Sequence, residues 1–255
     1  MTTQIDTLNT ILTAWGYDKV IPQKGNDDVD INNEGNITYI GLSYNFKGTI
    51  PESFYTLTSL QGLSINGTSL KGEVSSKIQN FTELTFLDMS NNNTLTFNIS
   101  YLKPLNKLTY IDVENTICEG DISDLFNLTL LTHLSVGYKK NPNIKGDIKD
   151  VILLKNLNFL YLILCNLTGN IHDILKLTNL TDVYLYNNNL SGSIPDISNL
   201  TNLNSFDLSY NNLSGSIPDI SNLTKLSFFN LSDSNLSGSI PDISKLTNLE
   251  YIKLS

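Results

Sequence analysis

The sequence predicts an α/β solenoid: a right-handed superhelix with a parallel β-sheet on its concave face, mostly irregular or 3-10 convex returns, and an N-terminal helical cap. Three observations predict this fold. A turn-rich phrase recurs almost unchanged, an apolar strand motif recurs in register with it, and a segment bearing glycine and proline separates successive strands. The 255 residues, 40% of them hydrophobic, are enough to bury a continuous core.

The repeat is clearest where Asn188–Pro195, NNLSGSIP, returns as Asn211–Pro218. Its anchor is the glycine of an L-x-G-x-I motif, which recurs at steps of 24, 25, 23, 26, 23, 23, 23 and 23 residues. The anchors are Gly48, Gly72, Phe97 (a substitution), Gly120, Gly146, Gly169, Gly192, Gly215 and Gly238. A fixed period of this size is typical of a stacked-repeat fold.

An L-x-x-L-x-L motif precedes each anchor, and a tenth copy closes the chain. Its middle apolar residues are Ile40, Leu63, Leu87, Ile111, Leu134, Leu160, Val183, Phe206, Phe229 and Ile252. The alternation predicts a short strand with one face buried, and one such strand cannot bury that face alone. Successive repeats must therefore stack into a parallel sheet, and each return bends at its glycine.

A polar column is predicted to point inward three positions after each strand. Its members are Asn45, Thr68, Asn92, Thr116, Lys139, Cys165, Asn188, Asn211 and Ser234. Asn, Thr, Ser or Cys at this position can satisfy backbone groups of the turn, and an unpaired buried polar group costs about 1–3 kcal/mol. Lys139 does not fit this role. Its repeat is also longer than the others, so we expect residues 138–143 to form a loop that bulges from the coil.

The combined motif, L-x-x-L-x-L-x-x-N-x-L-x-G-x-I-P, resembles the plant-type leucine-rich repeat of receptor-kinase ectodomains and polygalacturonase-inhibiting proteins, over about residues 37–255. The Ile-Pro pair survives at Ile50-Pro51, Ile194-Pro195, Ile217-Pro218 and Ile240-Pro241. The resemblance implies a leucine-rich-repeat superhelix and a non-catalytic module that binds a protein or peptide on its concave face, in a receptor-like or inhibitor-like role. It also implies an extracellular or cell-surface location. No signal peptide is visible in the chain, so a cytoplasmic location stays open.

Residues 1–36 are predicted to form the helical cap, and residues 37–255 the repeat domain, with about nine full repeats and a terminal strand. Ile5, Leu8, Leu12 and Trp15 share one helical stripe, which predicts a helix from residue 7 to about residue 15. The far end finishes on a strand without a polar cap. An uncapped end of a stacked-repeat fold exposes core residues. We therefore expect either that the chain is a fragment or that another element covers this end.

The two cysteines are expected to be free structural thiols. Cys118 occupies an inward leucine position and Cys165 an inward polar position two repeats later. Two strand spacings separate them by about 10 Å, which exceeds the roughly 7 Å reach of a disulfide between Cα atoms.

Charge and motifs exclude several functions. A net charge of −9 and a pI near 4.6 disfavour nucleic acid and anionic membrane surfaces, and no apolar run is long enough to span a bilayer. No cofactor, metal or catalytic motif is found. His133 and His172 lie on different predicted faces. Asp88 and Asp112 are neighbours that suit glycosidase chemistry, but on an open sheet without a lid they are better interpreted as a solvated acidic patch. We therefore expect no enzymatic activity.

Aromatic residues concentrate on the outward side of the strands, although they make up only 9% of the chain. Exposed aromatics ringed by polar groups are frequent anchors of protein and peptide interfaces. The predicted partner-binding residues are Phe86, Asp88, Tyr110, Asp112, His133, Tyr138, Phe159, Tyr161, Ile163 and Tyr184. The competing interpretation is that aromatic residues simply suit strand positions.

An alternative function is binding to a carbohydrate or ice surface. The triplets Ser191-Gly192-Ser193, Ser214-Gly215-Ser216 and Ser237-Gly238-Ser239, with Thr178, Thr201, Thr224 and Thr247, predict regular ladders of hydroxyl groups. Fourteen N-x-S/T sequons are candidates for glycosylation, although N-L-T and N-L-S are also consensus words of the repeat.

Overall fold

The structure is a computed structural model that describes residues 3–17, 29–42, 46–137 and 143–254. Tyr138, Lys139 and most of the predicted bulged loop, as well as Asn45, lie outside the described residues. In chain order, the strands are β1 (Val29–Ile31), β2 (Ile37–Gly41), β3 (Lys47–Gly48), β4 (Gly62–Ser64), β5 (Ser69–Leu70), β6 (Gly72–Glu73), β7 (Phe86–Asp88), β8 (Leu95–Asn98), β9 (Tyr110–Asp112), β10 (Ile117–Asp121), β11 (His133–Gly137), β12 (Ile144–Asp147), β13 (Phe159–Ile163), β14 (Asn166–Thr168), β15 (Asp182–Tyr184), β16 (Ser191–Ser193), β17 (Ser205–Asp207), β18 (Asn212–Ser216), β19 (Phe228–Asn230), β20 (Asn235–Ser237) and β21 (Tyr251–Lys253).

One large sheet runs the length of the described repeats, in the order β1-β2-β4-β7-β9-β11-β13-β15-β17-β19-β21. The ten predicted strand motifs supply all its members except β1, which pairs antiparallel to β2 and was not predicted. The other neighbours are parallel, and their register places each middle apolar residue opposite the next, as in Leu134 opposite Leu160. The predicted parallel solenoid sheet is confirmed.

The returns form a second layer that the sequence did not predict as strands. Short parallel sheets join β6-β8-β10-β12-β14, β16-β18-β20 and β3-β5. The predicted 3-10 turns follow several of these strands, at Glu52–Thr56, Ser76–Asn80, Ile99–Leu102, Ile122–Leu125, Ile148–Leu153 and Ile171–Lys176. An Asp or Asn side chain caps most of the returns. Asp147 Oδ1, for example, accepts a hydrogen bond from the Lys149 amide at 2.8 Å.

In the middle repeats, these capping side chains explain the glycine of the L-x-G-x-I motif that follows. Gly169 has a φ of +109°, and a Cβ there would lie 2.4 Å from Oδ1 of Asp147 in the preceding repeat. Gly146 stands in the same relation to Asp121, at 2.5 Å. Glycine adopts this left-handed backbone without strain and has no Cβ to meet the carboxylate. At these two positions, the cap of one repeat therefore fixes the residue type of the next.

The inward polar column joins successive repeats through buried hydrogen bonds. Asn188 Nδ2 donates to the Leu162 carbonyl at 2.7 Å and to the Leu185 carbonyl at 2.9 Å, while its Oδ1 accepts from the Leu167 amide at 3.2 Å. Asn211 binds in the same way, and its Oδ1 accepts from the Leu190 amide at 3.0 Å. Asn92 Nδ2 also donates to the carbonyls of Ile65 and Met89, but its Oδ1 accepts from the Thr68 hydroxyl at 2.7 Å. The predicted role is confirmed for these residues but not for Ser234, whose buried hydroxyl oxygen has no hydrogen-bond partner.

The N-terminal cap contains the predicted helix, α1 (Gln4–Ala14), which starts earlier than predicted. The early start follows from Thr3, which forms a capping box with Asp6 and so satisfies the free amides of the first turn. Leu8, Ile11 and Leu12 are buried, whereas Ile5 on the predicted stripe is only partly buried. The Trp15 indole donates to the Thr49 carbonyl at 2.9 Å and ties the helix to the first return.

At the opposite end, apolar residues are exposed as predicted. Ile240 is 69% exposed, whereas Ile194 at the equivalent position of an inner repeat is 5% exposed.

Both cysteines are buried and free, which confirms the prediction that they are structural thiols. Burial raises the pKa of the Cys118 thiol to about 12, so this thiol is not an available nucleophile at neutral pH.

Candidate functional site

The solvent-facing side of the large sheet, called the outer sheet face below, carries two columns of side chains. The first column runs Tyr39, Gly62, Phe86, Tyr110, His133, Phe159, Asp182, Ser205, Phe228 and Tyr251. The second runs Gly41, Ser64, Asp88, Asp112, Ser135, Tyr161, Tyr184, Asp207, Asn230 and Lys253. The register of the strands thus places eight of the ten predicted site residues in two adjacent columns.

Rings from five neighbouring strands form one continuous aromatic row. The row consists of Phe86, Tyr110, His133, Phe159, Tyr161 and Tyr184. The ring centroids of Phe86 and Tyr110 are 4.4 Å apart, and those of Tyr110 and His133 are 4.2 Å apart. At β13 the row passes from the first column to the second, because His133 contacts both Phe159, at 5.3 Å, and Tyr161, at 5.9 Å. Tyr161 and Tyr184 then stack at 4.8 Å.

Because the rings stack on one another, their edges and hydroxyl groups are the parts left for a partner. Phe159 is 37% exposed and the other rings of the row are partly buried. Burial raises the pKa of Tyr110 to about 12, so its hydroxyl remains a neutral donor at neutral pH. Burial lowers the pKa of His133, and the nearby Asp88 charge opposes this shift only in part. The imidazole is therefore mainly uncharged at neutral pH. The row offers an apolar strip with neutral hydrogen-bonding groups.

Three carboxylates flank the aromatic row and form what we call the acidic cluster: Asp88, Asp112 and Glu114. Asp88 Oδ1 accepts from the Ser90 amide at 3.0 Å, and its Oδ2 accepts from the Asn66 side chain at 2.6 Å. Asp112 Oδ1 accepts from the Glu114 amide at 3.0 Å. Within the described residues, none of the three forms an ion pair. The cluster therefore carries negative charge without a cation beside it.

Burial, together with the charges of Asp88 and Glu114, raises the pKa of Asp112 to about 6. Hydrogen bonds from Glu114 and Ser135 oppose this rise. Between about pH 4 and pH 6, the folded chain keeps a proton on Asp112 that the unfolded chain has already released. Protonation of Asp112 therefore stabilises the fold below this window, and the free energy of unfolding falls as the pH rises through it. We expect this fall in the free energy of unfolding to be about 1–2 kcal/mol smaller in Asp112→Asn than in the unmodified chain. Urea unfolding at a series of pH values measures it.

The matched control is Asp196→Asn on a return. Hydrogen bonds from Ser198 lower the pKa of Asp196, so its contribution has the opposite sign. The charged groups that act on Asp112 are Asp88 and Glu114, and neither is replaced in these variants. Equal pH profiles for Asp112→Asn and the unmodified chain would contradict the buried environment assigned to this carboxyl group.

Two predicted site residues do not lie in the two columns. Ile163 is only 7% exposed, so it is largely inaccessible to a partner. Tyr138 lies outside the described residues. Sequence reasoning also missed Glu114, which lies just beyond the two columns, and it missed the continuation of the rings from Tyr184 to Phe228 at 6.1 Å and from Phe228 to Tyr251 at 4.6 Å. Both last rings occupy first-column positions, which was the available signal.

The hydroxyl ladders of the alternative function differ from their predicted arrangement. In the sheet β16-β18-β20, Ser193 lies opposite Ser214 and Ser216 lies opposite Ser237. Equivalent serines of successive triplets are therefore offset by two residues and do not face each other. The exposed threonines at 178, 201, 224 and 247 lie in the turns before the strands, where their side chains are accessible.

The outer sheet face presents aromatic rings, hydroxyl groups and carboxylates, which can make apolar, hydrogen-bonding and ionic contacts. Among the residues described, His, Cys, Asp and Glu side chains do not gather in groups of three or more that suit a metal ion. In the same part of the chain, no helix combines the length and apolar character required to cross a membrane.

Comparisons of the sequence identify similar proteins. A family profile described as Leucine Rich repeats (2 copies) matches residues 178–222. Receptor-like protein 39 of Arabidopsis thaliana is 33% identical over 106 residues, which cover 40% of this chain and 12% of that protein.

Solved structures provide a longer match. The plant peptide hormone receptor RGFR1, in complex with RGF2, is 38% identical with a TM-score of 0.66, over 76% of this chain and 31% of that one. The leucine-rich-repeat ectodomain of the Arabidopsis thaliana receptor kinase GASSHO1/SCHENGEN3, in complex with CASPARIAN STRIP INTEGRITY FACTOR 2, is 25% identical with a TM-score of 0.81, over 98% of this chain and 32% of that one. The chain thus spans about a third of each receptor chain.

Proposed function

Because the chain is a leucine-rich-repeat protein similar to plant receptor ectodomains, we propose that its outer sheet face binds a protein or peptide without catalysing a reaction. The observation that carries this proposal is the continuous aromatic row from Phe86 to Tyr184. We assign the binding a receptor-like role at the cell surface or outside the cell, which is the setting suggested by the similar receptors.

The aromatic row has the composition of an interface centre. Its rings supply apolar area and are already held in place by stacking, so little side-chain freedom is lost when a partner binds. Tyr110, Tyr161 and Tyr184 each add a hydroxyl that can orient the partner, and the adjacent carboxylates supply a polar rim. The parallel strands beneath are hydrogen-bonded along the whole sheet, which keeps the rings at fixed spacing.

The similar receptors support this choice of partner. RGFR1 was solved with RGF2, and GASSHO1/SCHENGEN3 with CASPARIAN STRIP INTEGRITY FACTOR 2, so two proteins of this architecture hold a partner. We extend that property to the present chain as a proposal, since the chain spans only about a third of either receptor.

The test is a triple variant, Tyr110→Ala/Phe159→Ala/Tyr161→Ala, measured with peptides selected on the unmodified chain from a random peptide display library. Removing three interface rings is expected to weaken peptide binding by at least about tenfold while leaving the fold intact. Titration calorimetry with the selected synthetic peptides measures the affinity, and circular dichroism checks the fold.

The control variant removes three exposed apolar side chains away from the two columns, Leu130→Ala/Leu153→Ala/Tyr210→Ala, which are 48%, 45% and 54% exposed. We expect it to bind the selected peptides as the unmodified chain does. If the aromatic variant binds them equally well, or if only the control loses binding, the outer sheet face is not the binding surface.

A further inference from the structure

The strand-end aspartates of the second column have a structural role that does not need their charge. Each accepts a backbone hydrogen bond from the residue two positions later, as Asp112 Oδ1 does from Glu114. Asn230 occupies the same column position, and its Oδ1 accepts from the Ser232 amide at 3.1 Å. An amide therefore makes the same turn as a carboxylate, and the fold itself gives no reason for negative charge at this position.

Negative charge on Asp112 and Glu114 of the acidic cluster is unfavourable for the isolated chain. Asp88 is buried, Asp112 and Glu114 are partly buried, and within the described residues no ion pair compensates them. Taking a carboxylate out of water without a cation costs free energy, and neighbouring like charges add to that cost. The cost is removed when a cation from a partner enters the site.

The rest of the outer sheet face is acidic as well. Beyond the acidic cluster, the described strand positions of this face carry the carboxylates Asp182 and Asp207. The cation among them is Lys253 at the far edge, and it lies 3.6 Å from Asp233. A face with this sign attracts positively charged partners and repels negatively charged ones.

We propose that the partner on this face is a basic peptide segment, which pairs a lysine or arginine with Asp112 and Glu114 and lays its apolar part along the aromatic row. This proposal rests on the proposed function and adds the chemical class of the partner. The long aliphatic stem of lysine or arginine packs well against ring edges while its charged head reaches a carboxylate. Tyr110, two residues before Asp112 on β9, and Tyr161, across Ser135 on β13, stand on either side of that position.

The experiment uses the intact chain and the same random peptide display library. We expect the selected peptides to contain an excess of lysine and arginine over the unselected library. Their synthetic forms should bind the double variant Asp112→Asn/Glu114→Gln at least about tenfold more weakly than the unmodified chain. Binding to the unmodified chain should also weaken as salt is raised, because salt screens exposed charge pairs.

The matched control is Asp121→Asn/Asp147→Asn on the returns. It removes the same number of charges, and Asn98 and Asn170 already cap equivalent returns in the same way, so the fold tolerates the change. If this control binds the peptides as tightly as the unmodified chain, the weaker binding of Asp112→Asn/Glu114→Gln is due to the acidic cluster and not to the change in net charge. Two results would overturn this inference and leave the proposed function standing: the selected peptides require the aromatic row but carry no excess of basic residues, or they bind the double variant as tightly as the unmodified chain. If the selected peptides bind the triple aromatic variant as tightly as the unmodified chain, both the inference and the proposed function are contradicted.

Discussion

Asn188→Ala is expected to lower the free energy of unfolding by about 2–4 kcal/mol, one of the largest effects of a single substitution in this chain. The amide of Asn188 donates to the carbonyls of Leu162 and Leu185 and accepts from the amide of Leu167, so it joins two successive repeats. Alanine would remove all three hydrogen bonds and would take from the buried Leu162 carbonyl its side-chain donor, at a cost of about 1–3 kcal/mol. The Leu185 carbonyl keeps the Asn211 side chain at 3.0 Å and the Leu167 amide keeps the Cys165 carbonyl at 2.7 Å, so each of those losses costs only about 0.5–1.5 kcal/mol. Urea unfolding followed by circular dichroism measures the change.

Asn189→Ala is the matched control, since Asn189 is the next residue and its side chain is exposed. We expect it to change the free energy of unfolding by less than about 0.5 kcal/mol. A loss at Asn188 no greater than the loss at Asn189 would show that the inward amide does not hold successive repeats together.

The sheet was predictable because period and burial constrain the same positions. A residue such as Leu134 must face the core in its own repeat and must also lie opposite Leu160 in the next, so the repeat length alone fixes the register. Strand β1 carried no such signal. It lies outside the repeat and pairs antiparallel to β2 through a turn that the periodic motif does not encode. The short strands of the returns have the same difficulty, since pairs such as Gly72–Glu73 lack an apolar alternation.

The columns of the site were predictable, but the contacts between columns were not. Alternation along a strand places Phe159 and Tyr161 on the same face, yet it does not say that both rings reach His133. Ile163 continues the same alternation, but the structure buries it. Burial at the end of a strand depends on the neighbouring turns, which differ in length from one repeat to the next. Glu114 escaped prediction for the same reason, because it lies in a turn and reaches the cluster from there.

The same repeat that builds the core also explains how the outer sheet face can specialise. Inward positions such as Leu160 are constrained by two neighbouring repeats, whereas outward positions such as Phe159 and Asp182 meet only solvent and each other. The fold therefore tolerates rings at one step of the column and a carboxylate or serine at the next. A run of stacked rings beside uncompensated carboxylates is consequently informative about binding in a way that the buried leucines are not.

Gly169→Ala is expected to lower the free energy of unfolding by about 3 kcal/mol or more, through two effects that act together. The φ of +109° at this position is one that alanine adopts only under strain, and the new Cβ would lie 2.4 Å from Oδ1 of Asp147. Moving Asp147 aside would break its hydrogen bond to the Lys149 amide, which caps the preceding return. The damage therefore extends over two repeats, and urea unfolding should report it as a lower midpoint.

Gly48→Ala separates these two effects, since Gly48 has a similar φ of +118° and an added Cβ there meets only the Trp15 ring, at an ordinary contact distance of 3.8 Å. Its cost should be only the backbone strain of about 1–3 kcal/mol, because no neighbouring side chain has to move. The double variant Asp147→Ala/Gly169→Ala adds a second comparison. With the carboxylate gone, the cost of adding the Cβ at position 169 should fall, although the strain of the backbone remains. If Gly169→Ala costs no more than Gly48→Ala, the capping carboxylate is not what selects glycine in this repeat.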